Sequence, residues 1–405
     1  MPGNDIHPNP VLDRRALRVG MVAGEVSGDM LGSGLITAIR EQLPGSEFIG
    51  VAGPEMIKAG CEPLYRAEEL SVMGLAEVLQ HLPRLLRLRK DLLRRLQAAR
   101  IDIFVGIDSP DFNLPLAGML KKSGIPTVQY VSPQVWAWRQ SRVAGISKAV
   151  DLVLCLLPFE TRFYEDWGVN ARFVGHPLAD EIPVETNKVN ARASLGIPTA
   201  GSYLAILPGS RMSEVSRLSR PFLETAKELS ARRPDLRVIV GLANEGTEAF
   251  FSAQARDISI DPMPLFFTGR ARDVMGAADV VLTASGTASL EVLLTKRPMV
   301  VAYIISGITH RLFRWLGLKR LDYFSLPNLL AGRQVVPEYL QGDVRPEILC
   351  PALEGYLDGR GADGQAEDCD WYDTFKAIHQ QLRRNASTEA ASAVLGLLGN
   401  ENDSA

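Results

Sequence analysis

The sequence predicts an α/β protein of two doubly wound, Rossmann-like parallel-sheet domains facing a cleft, with a C-terminal helix. Three observations carry this. From about residue 16 onward, short apolar runs alternate with helical patterns, the alternation that builds parallel sheets. The pattern breaks at a polar stretch, Asp180–Asn190, and then resumes. Finally, 405 residues are too many for one ordinary core, and two domains of about 150–200 residues are the natural division.

Taken in order, residues 1–15 carry three prolines and no periodicity and read as a loose leader. The first domain, 16–190, has candidate strands at Leu17–Ala23, Phe48–Ala52, Ile103–Ile107, Thr127–Val131, Leu152–Leu156 and Arg172–Val174. Helical patterns fall between them near Met30–Gln42, Ala76–Ala99, Leu114–Ser123 and Pro158–Trp167. The second domain, 191–357, has strands at Tyr203–Leu207, Val238–Gly241, Leu265–Thr268, Val280–Thr283 and Val300–Tyr303. A Gly/Asp-rich stretch, 358–370, reads as a linker, and a helical segment over 371–398 ends the fold. Ligands of such sheets sit beyond the carboxyl ends of the strands.

Composition narrows the function. A net charge of -3 argues against a general nucleic-acid binder. Four scattered cysteines with no CxxC pair read as buried or incidental thiols of a reducing compartment. Five histidines form no HxxxH or His/Cys cluster, so no metal site is expected. There is no signal-peptide pattern and no apolar run near 18 residues, so neither export nor a membrane span is expected.

Five stretches hold candidate chemistry. Leu282–Val301 (LTASGTASLEVLLTKRPMVV) passes from a strand through small residues into a short helix closed by Lys296, Arg297 and Pro298. Ser285, Gly286, Thr287, Ala288 and Ser289 leave N–H groups open at a helix N-terminus, which suits a phosphate or diphosphate. Glu291, one turn on, is placed to accept from ribose hydroxyls; a strand–turn–helix without ligand fits the same letters. Val22–Leu35 (VAGEVSGDMLGSGL) has glycines every four residues, suited to close helix packing, and puts Glu25, Ser27 and Asp29 in a loop facing the cleft; the G-x-G-x-x-G fingerprint is not matched. Gly106–Asn113 (GIDSPDFN) sets Asp108 and Asp111 directly after a strand, where a general base would be wanted, although turn and cap chemistry uses the same residues. In Leu207–Val215 (LPGSRMSEV), Gly209 and Ser210 admit close approach, and Arg211 can make a charge-assisted contact with diphosphate oxygens. Ser132–Arg139 (SPQVWAWR) sets two tryptophans and an arginine where they line a sugar or acyl site or bridge to a neighbouring helix.

A sixth feature is electrostatic. Between Val72 and Leu96, leucines at helical spacing share a helix with Arg84, Arg87, Arg89, Lys90, Arg94 and Arg95, with a single acid, Asp91, among those cations. Such a segment fits docking on anionic lipid, at about 1 kcal/mol per basic residue near the surface. A core-packing helix with a solvated basic face fits equally.

Together VAGEVSGD, VAGPEM, VGIDSPDFN, YVSPQVWAWR, LPGSR, ASGTASLE and SLPNLLAGR, in this order from about Leu17 to Leu398, resemble the lipid-A-disaccharide synthase family. The resemblance implies a GT-B fold and an inverting glycosyltransferase. That enzyme joins UDP-2,3-diacylglucosamine to 2,3-diacylglucosamine 1-phosphate (lipid X), giving a β-1,6-linked disaccharide and UDP. It further implies Asp108 as base, and Arg211 with the N–H groups of Gly286–Ala288 on the departing UDP without a metal. Glu291 would hold the ribose, Asn328 and Arg333 would complete the site, and Glu25, Ser27 and Asp29 would lie on the acceptor side. No cofactor is implied, the UDP-sugar being a substrate. A peripheral protein of the cytoplasmic face of the bacterial inner membrane is implied, and a homodimer with exchanged C-terminal segments. A UDP-sugar 2-epimerase, a non-catalytic nucleotide-sugar sensor and a membrane scaffold are the competing readings.

Overall fold

Among the described residues, thirteen strands form two sheets, each wholly parallel. The first sheet holds β1 (Arg18–Ala23), β2 (Glu47–Ala52), β3 (Cys61–Arg66), β4 (Ile103–Ile107), β5 (Thr127–Tyr130), β6 (Leu152–Cys155) and β7 (Ala171–Phe173) in the order β3-β2-β1-β4-β5-β6-β7. The second holds β8 (Ser202–Leu207), β9 (Leu236–Leu242), β10 (Leu265–Thr268), β11 (Val280–Ala284), β12 (Met299–Tyr303) and β13 (Glu338–Leu340) in the order β10-β9-β8-β11-β12-β13. The computed structural model describes residues 16–70, 75–133, 143–305, 322–359 and 370–400. The leader, the tryptophan pair and most of the Gly/Asp-rich stretch lie outside these.

Central strands of the first sheet are apolar on both faces because both are covered. Val19, Met21 and Ala23 of β1 pack with Leu35, Ile36 and Ile39 of the Val26–Gln42 helix. Val22, on the opposite face, packs in one cluster with Leu88, Leu92 and Leu96 of the Leu75–Ala98 helix and Leu116 and Leu120 of the Pro110–Lys121 helix. In the second sheet, Leu204, Ile206, Val238, Val240, Val280 and Leu282 share a core with Leu218, Phe222 and Leu229 of the Met212–Arg232 helix.

Strands β3 and β13 escape the sequence reading. Both are edge strands, and β3 contains Pro63, which only an edge tolerates. Their letters lack the apolar run that marks a strand buried on both faces.

The chain divides into two compact units, residues 1–177 with 385–405, and residues 178–384. The first division thus falls ahead of the polar stretch expected to end the first domain near residue 190. The expected C-terminal segment is two helices, Asp370–Leu382 and Ala386–Asn400, broken at Asn385, whose φ is +56°. Asp370–Leu382 stays with the second unit, whereas Ala386–Asn400 returns to the first, where Ala390, Ala391 and Val394 join the core of the Val26–Gln42 helix. A Cβ placed on Gly34 would lie 2.4 Å from the Ser387 Oγ, so a small residue permits this approach.

In the second unit, Lys296 follows the Thr287–Leu294 helix with φ +53° and is almost wholly buried. Its Nζ donates to the carbonyls of Pro183 (3.2 Å) and Leu294 (2.5 Å) and lies 2.5 Å from Nδ1 of the buried His379. Nε2 of His379 lies 2.9 Å from the Ala179 carbonyl. A carbonyl only accepts, so the imidazole proton sits on Nε2 and Nδ1 accepts from the ammonium. One lysine thereby ties the 179–183 segment to the Asp370–Leu382 helix.

Candidate active site

Both sheets reverse their strand order at one place, and ligands of such sheets bind beyond the carboxyl ends of the strands at that point. In the first sheet the reversal lies between β1 and β4, and in the second between β8 and β11. The loop after β1 carries Glu25, with Ser27 in the first turn of the Val26–Gln42 helix and not in the loop, and the loop after β4 carries Asp108. A Cβ on Gly24 would lie 2.9 Å from the Ser109 Oγ, so these two loops abut. The loop after β8 carries Ser210 and Arg211, and the loop after β11 carries Ser285 and Gly286 and leads into Thr287 and Ala288 at the start of the Thr287–Leu294 helix. Four sequence-predicted motifs therefore stand in pairs, one pair at each reversal.

In the first unit, Asp108 is half-buried on left-handed backbone, φ +51°, followed by Ser109 at φ +39°. Its N–H donates to the Tyr130 carbonyl at 2.8 Å, and its own carbonyl accepts from Asn113 Nδ2 at 2.8 Å and Gln129 Nε2 at 3.0 Å. Asn113 and Gln129 are fully buried and were given no role from the sequence. Asn113 lies inside the quoted motif, but nothing in its letters says where its amide is spent. Asp111 is exposed in the first turn of the next helix, and its carbonyl accepts from Arg89 at 3.0 Å.

Asp29 departs from its expected place. Its carboxylate is buried and accepts from the N–H groups of Gly53 (3.0 Å), Glu55 (2.8 Å) and Met56 (2.9 Å). It caps the Pro54–Lys58 helix from 24 residues away and is no acceptor contact, because the carboxylate is buried against three backbone donors. Glu25 and Ser27 are exposed.

In the second unit, Gly286 takes φ +141° with open space where a Cβ would go, and its carbonyl accepts from Ser289 N–H (3.1 Å) and Oγ (2.7 Å). Exposed Thr287 and half-buried Ala288 then present the first-turn N–H groups of the Thr287–Leu294 helix. Across the reversal, Gly209 at φ +111° could hold no Cβ, which would fall 2.6 Å from the Glu214 Oε2. That oxygen accepts from the Arg211 N–H at 3.4 Å, leaving Ser210 and the Arg211 guanidinium exposed.

Glu291 is largely buried, which pushes its carboxyl up, while Arg272, 3.7 Å away, pulls it back down. Arg272 also pairs with Glu181 at 3.2 Å, a bridge the sequence did not announce. Asn328 is a further correction. Its Oδ1 accepts from Val335 and Val336 N–H (2.7 and 3.0 Å), and its Nδ2 donates to the Val336 carbonyl and Glu338 Oε1 (2.9 and 2.8 Å). Both lone pairs and both hydrogens are used, so this buried amide shapes the loop and has nothing left for a ligand. Glu338 was missed from sequence; it also accepts from Phe324 and Ser325 N–H, and Ser285 Oγ donates to the Phe324 carbonyl at 3.3 Å. The S-L-P-N stretch is thus clamped beside the Thr287–Leu294 helix. Arg333 is exposed and donates to Thr374 Oγ1 at 2.9 Å.

The basic helix resolves along its length. Leu88, Leu92 and Leu96 are buried, whereas Leu82 and Leu86 are 42% and 49% exposed beside exposed Arg84, Arg87 and Lys90. Arg84 lies 3.7 Å from Glu69. Arg89 is no membrane contact: it turns inward, stacks 5.1 Å over the Phe112 ring and donates to the Asp111 carbonyl. Burial pulls its guanidinium below the ordinary arginine range.

The folds of known proteins match this arrangement. A glycotransferase of kitacinnamycin aligns with TM-score 0.61 at 16% identity over 95% of this chain and 100% of that one. A UDP-GlcNAc 2-epimerase from Neisseria meningitidis bound to UDP-GlcNAc aligns with TM-score 0.60 at 12% identity over 94% and 99%. At such identities the likeness concerns the GT-B fold alone. Sequence reaches further. A lipid-A-disaccharide synthase from Klebsiella pneumoniae subsp. pneumoniae is 50% identical over 387 residues, covering 95% of this chain and 99% of the relative. One from Xanthomonas campestris pv. campestris is 46% identical over 402 residues, covering 96% and 88%. The lipid-A-disaccharide synthetase family model matches residues 19–394, and by that match and these identities the chain belongs to the lipid-A-disaccharide synthase family.

Proposed function

We propose that this glycosyltransferase condenses UDP-2,3-diacylglucosamine with 2,3-diacylglucosamine 1-phosphate, releasing UDP and forming the β-1,6-linked lipid A disaccharide 1-phosphate. The observation that carries the reading is the paired placement of motifs at the two strand-order reversals. An acid, Asp108, stands at one, and a cation, Arg211, with an open helix N-terminus at the other. Asp108 takes the proton of the acceptor's 6-hydroxyl as that oxygen attacks the anomeric carbon from the face opposite the leaving group. The bond from that carbon to the diphosphate oxygen breaks, the configuration inverts, and UDP departs carrying the electron pair. Arg211 and the N–H groups of Gly286–Ala288 are fixed donors for the charge that develops there, which is where such donors lower a barrier. Ser210 supports the same diphosphate and Glu291 the ribose, with Arg272 opposing the rise that burial gives the Glu291 carboxyl. Arg333 belongs to the UDP side, while Glu25 and Ser27 belong to the acceptor side. The reading assigns no metal and no cofactor.

Peripheral attachment at the cytoplasmic face of the bacterial inner membrane is part of the proposal. It is supported by exposed Leu82 and Leu86 among Arg84, Arg87 and Lys90. Among the described residues no helix is long and apolar enough to cross a membrane. A homodimer with exchanged C-terminal segments is proposed on the resemblance. One assay tests the chemistry: UDP release from the diacylated donor, with and without lipid X. Release that requires lipid X is expected. Isomerised donor without acceptor would favour an epimerase, and UDP binding with no turnover a sensor.

A further inference from the structure

Three residues other than glycine at the carboxyl ends of β4 and β5 sit on left-handed backbone: Asp108 (φ +51°), Ser109 (φ +39°) and Val131 (φ +77°). For Val131, branched at Cβ, this conformation is an outlier. Residues held there persist only where their surroundings over-determine them, and they gather at functional sites. The surroundings here are two side-chain amides. Gln129 Nε2 faces three carbonyls at once, those of Asp108 (3.0 Å), Tyr130 (3.4 Å) and Val131 (3.3 Å). Asn113 Nδ2 lies 2.8 Å from the Asp108 carbonyl and 3.2 Å from that of Ile107. Both side chains are fully buried, and the Asn113 Oδ1 and Gln129 Oε1 accept no hydrogen bond from the described residues. A buried amide with an unspent oxygen is costly, and such a group calls for a reason. Swapping oxygen and nitrogen would not relieve it, since oxygens would then face carbonyls. The backbone makes room for the arrangement: a Cβ on Gly106 would fall 2.8 Å from the Asn113 Cβ.

We infer that Asn113 and Gln129 are positioning residues for transfer, two buried amides that grip the Asp108 carbonyl from both sides. Their grip fixes the left-handed turn and thereby aims the Asp108 carboxylate at the acceptor hydroxyl. This rests on the reading of Asp108 as the base. A carboxylate on a freely turning loop would sample many directions, and misplacement of about 1 Å costs on the order of 100-fold in rate. The amides touch no reacting atom. They act on the turn, so their removal moves kcat and leaves donor binding alone.

The test uses the full chain with Gln129→Met, which keeps volume and removes the donor, and Asn113→Ala, each also combined with Asp108→Ala. Turnover of diacylated donor with lipid X is measured beside urea melts of every variant. Gln129→Met is expected to lower kcat at least 10-fold, with donor KM within 2-fold and a cooperative melt retained. Added to Asp108→Ala, neither change is expected to lower the residual rate further, because groups acting through one residue do not multiply. Wild-type kcat in Gln129→Met, or losses that multiply in the Asp108→Ala background, would overturn the inference even if Asn113→Ala failed to fold. Near-normal turnover in Asp108→Ala alone would instead remove the base assignment on which it rests.

Discussion

Asp108 and Asp29 show how differently one residue type can be used at the carboxyl end of a strand. Replacing Asp108 with Ala is expected to cut transfer by about 10²–10⁴-fold, the usual range for a general base, while the UDP Kd, measured by calorimetry, stays within a few-fold. Replacing Asp29 with Ala strands three backbone N–H groups that now meet its carboxylate. Urea unfolding should register a loss of about 2 kcal/mol, at the upper end for a helix cap, with lipid X KM unchanged in the folded fraction. From sequence the two acids looked alike, each a carboxylate in a loop beyond an apolar run. What separates them is Gly53–Met56, distant in the chain and brought under Asp29 only by the fold. Asn328 was expected in the site from its motif, and its saturation was illegible, since a motif carries no record of which hydrogen bonds its amide has already made. Gly209 and Gly286 were more readable, because a tight turn before a helix leaves its mark in the letters.

At the scale of elements, the basic helix answers two readings at once. Periodicity established that Leu75–Ala98 is a helix; the neighbours it meets decide which part is core. Its second half packs on the sheet, and the stretch around Leu82 and Leu86 is the exposed apolar patch. Neutralising Arg84, Arg87 and Lys90 to Gln should weaken sedimentation with anionic vesicles, more at low salt than at high. Arg89→Gln should leave vesicle binding unchanged and lower stability instead, through the lost stack on Phe112. The Thr287–Leu294 helix carries a pH dependence at its far end. Burial pushes the Lys296 ammonium down from 10.5 to about 8. Between those two values the unfolded chain binds more proton than the folded one, so this group's contribution to stability rises with pH across the window and is flat below it. Lys296→Met should lose that rise, checked by urea melts of both proteins at pH 8 and pH 10. The cations at this helix end were read as partners of its dipole. That Lys296 is buried against His379 could not be read, because the histidine lies 83 residues away.

At the scale of the molecule, the alternation of strands and helices made both sheets legible, and the central strands fell within a residue or two of their expected bounds. The route of the last helix was not legible, because a helical pattern says nothing of which sheet it covers. Ala386–Asn400 seats on the Val26–Gln42 helix, with Ser387 at Gly34. The Ser387 Cβ lies 3.4 Å from where a Gly34 Cβ would be, close to the spacing of a disulfide. In the double variant Gly34→Cys, Ser387→Cys, oxidation should yield a covalent dimer on a non-reducing gel if C-terminal segments are exchanged between subunits, the outcome expected of the proposed dimer. A cross-linked monomer would place the helix on its own chain.

The returning helix also sets an order of events during synthesis. Domains generally fold from the N-terminus as they leave the ribosome, yet the core of the first unit is completed by residues made after the whole second unit. Until Ala390, Ala391 and Val394 emerge, the Val26–Gln42 helix presents its outer apolar side to water while the entire second unit is translated. The second unit is contiguous in sequence and can close without waiting. A nascent chain stalled before Ala386 would therefore hold a finished second unit and an unfinished first one, with the sticky surface on the part that was made first.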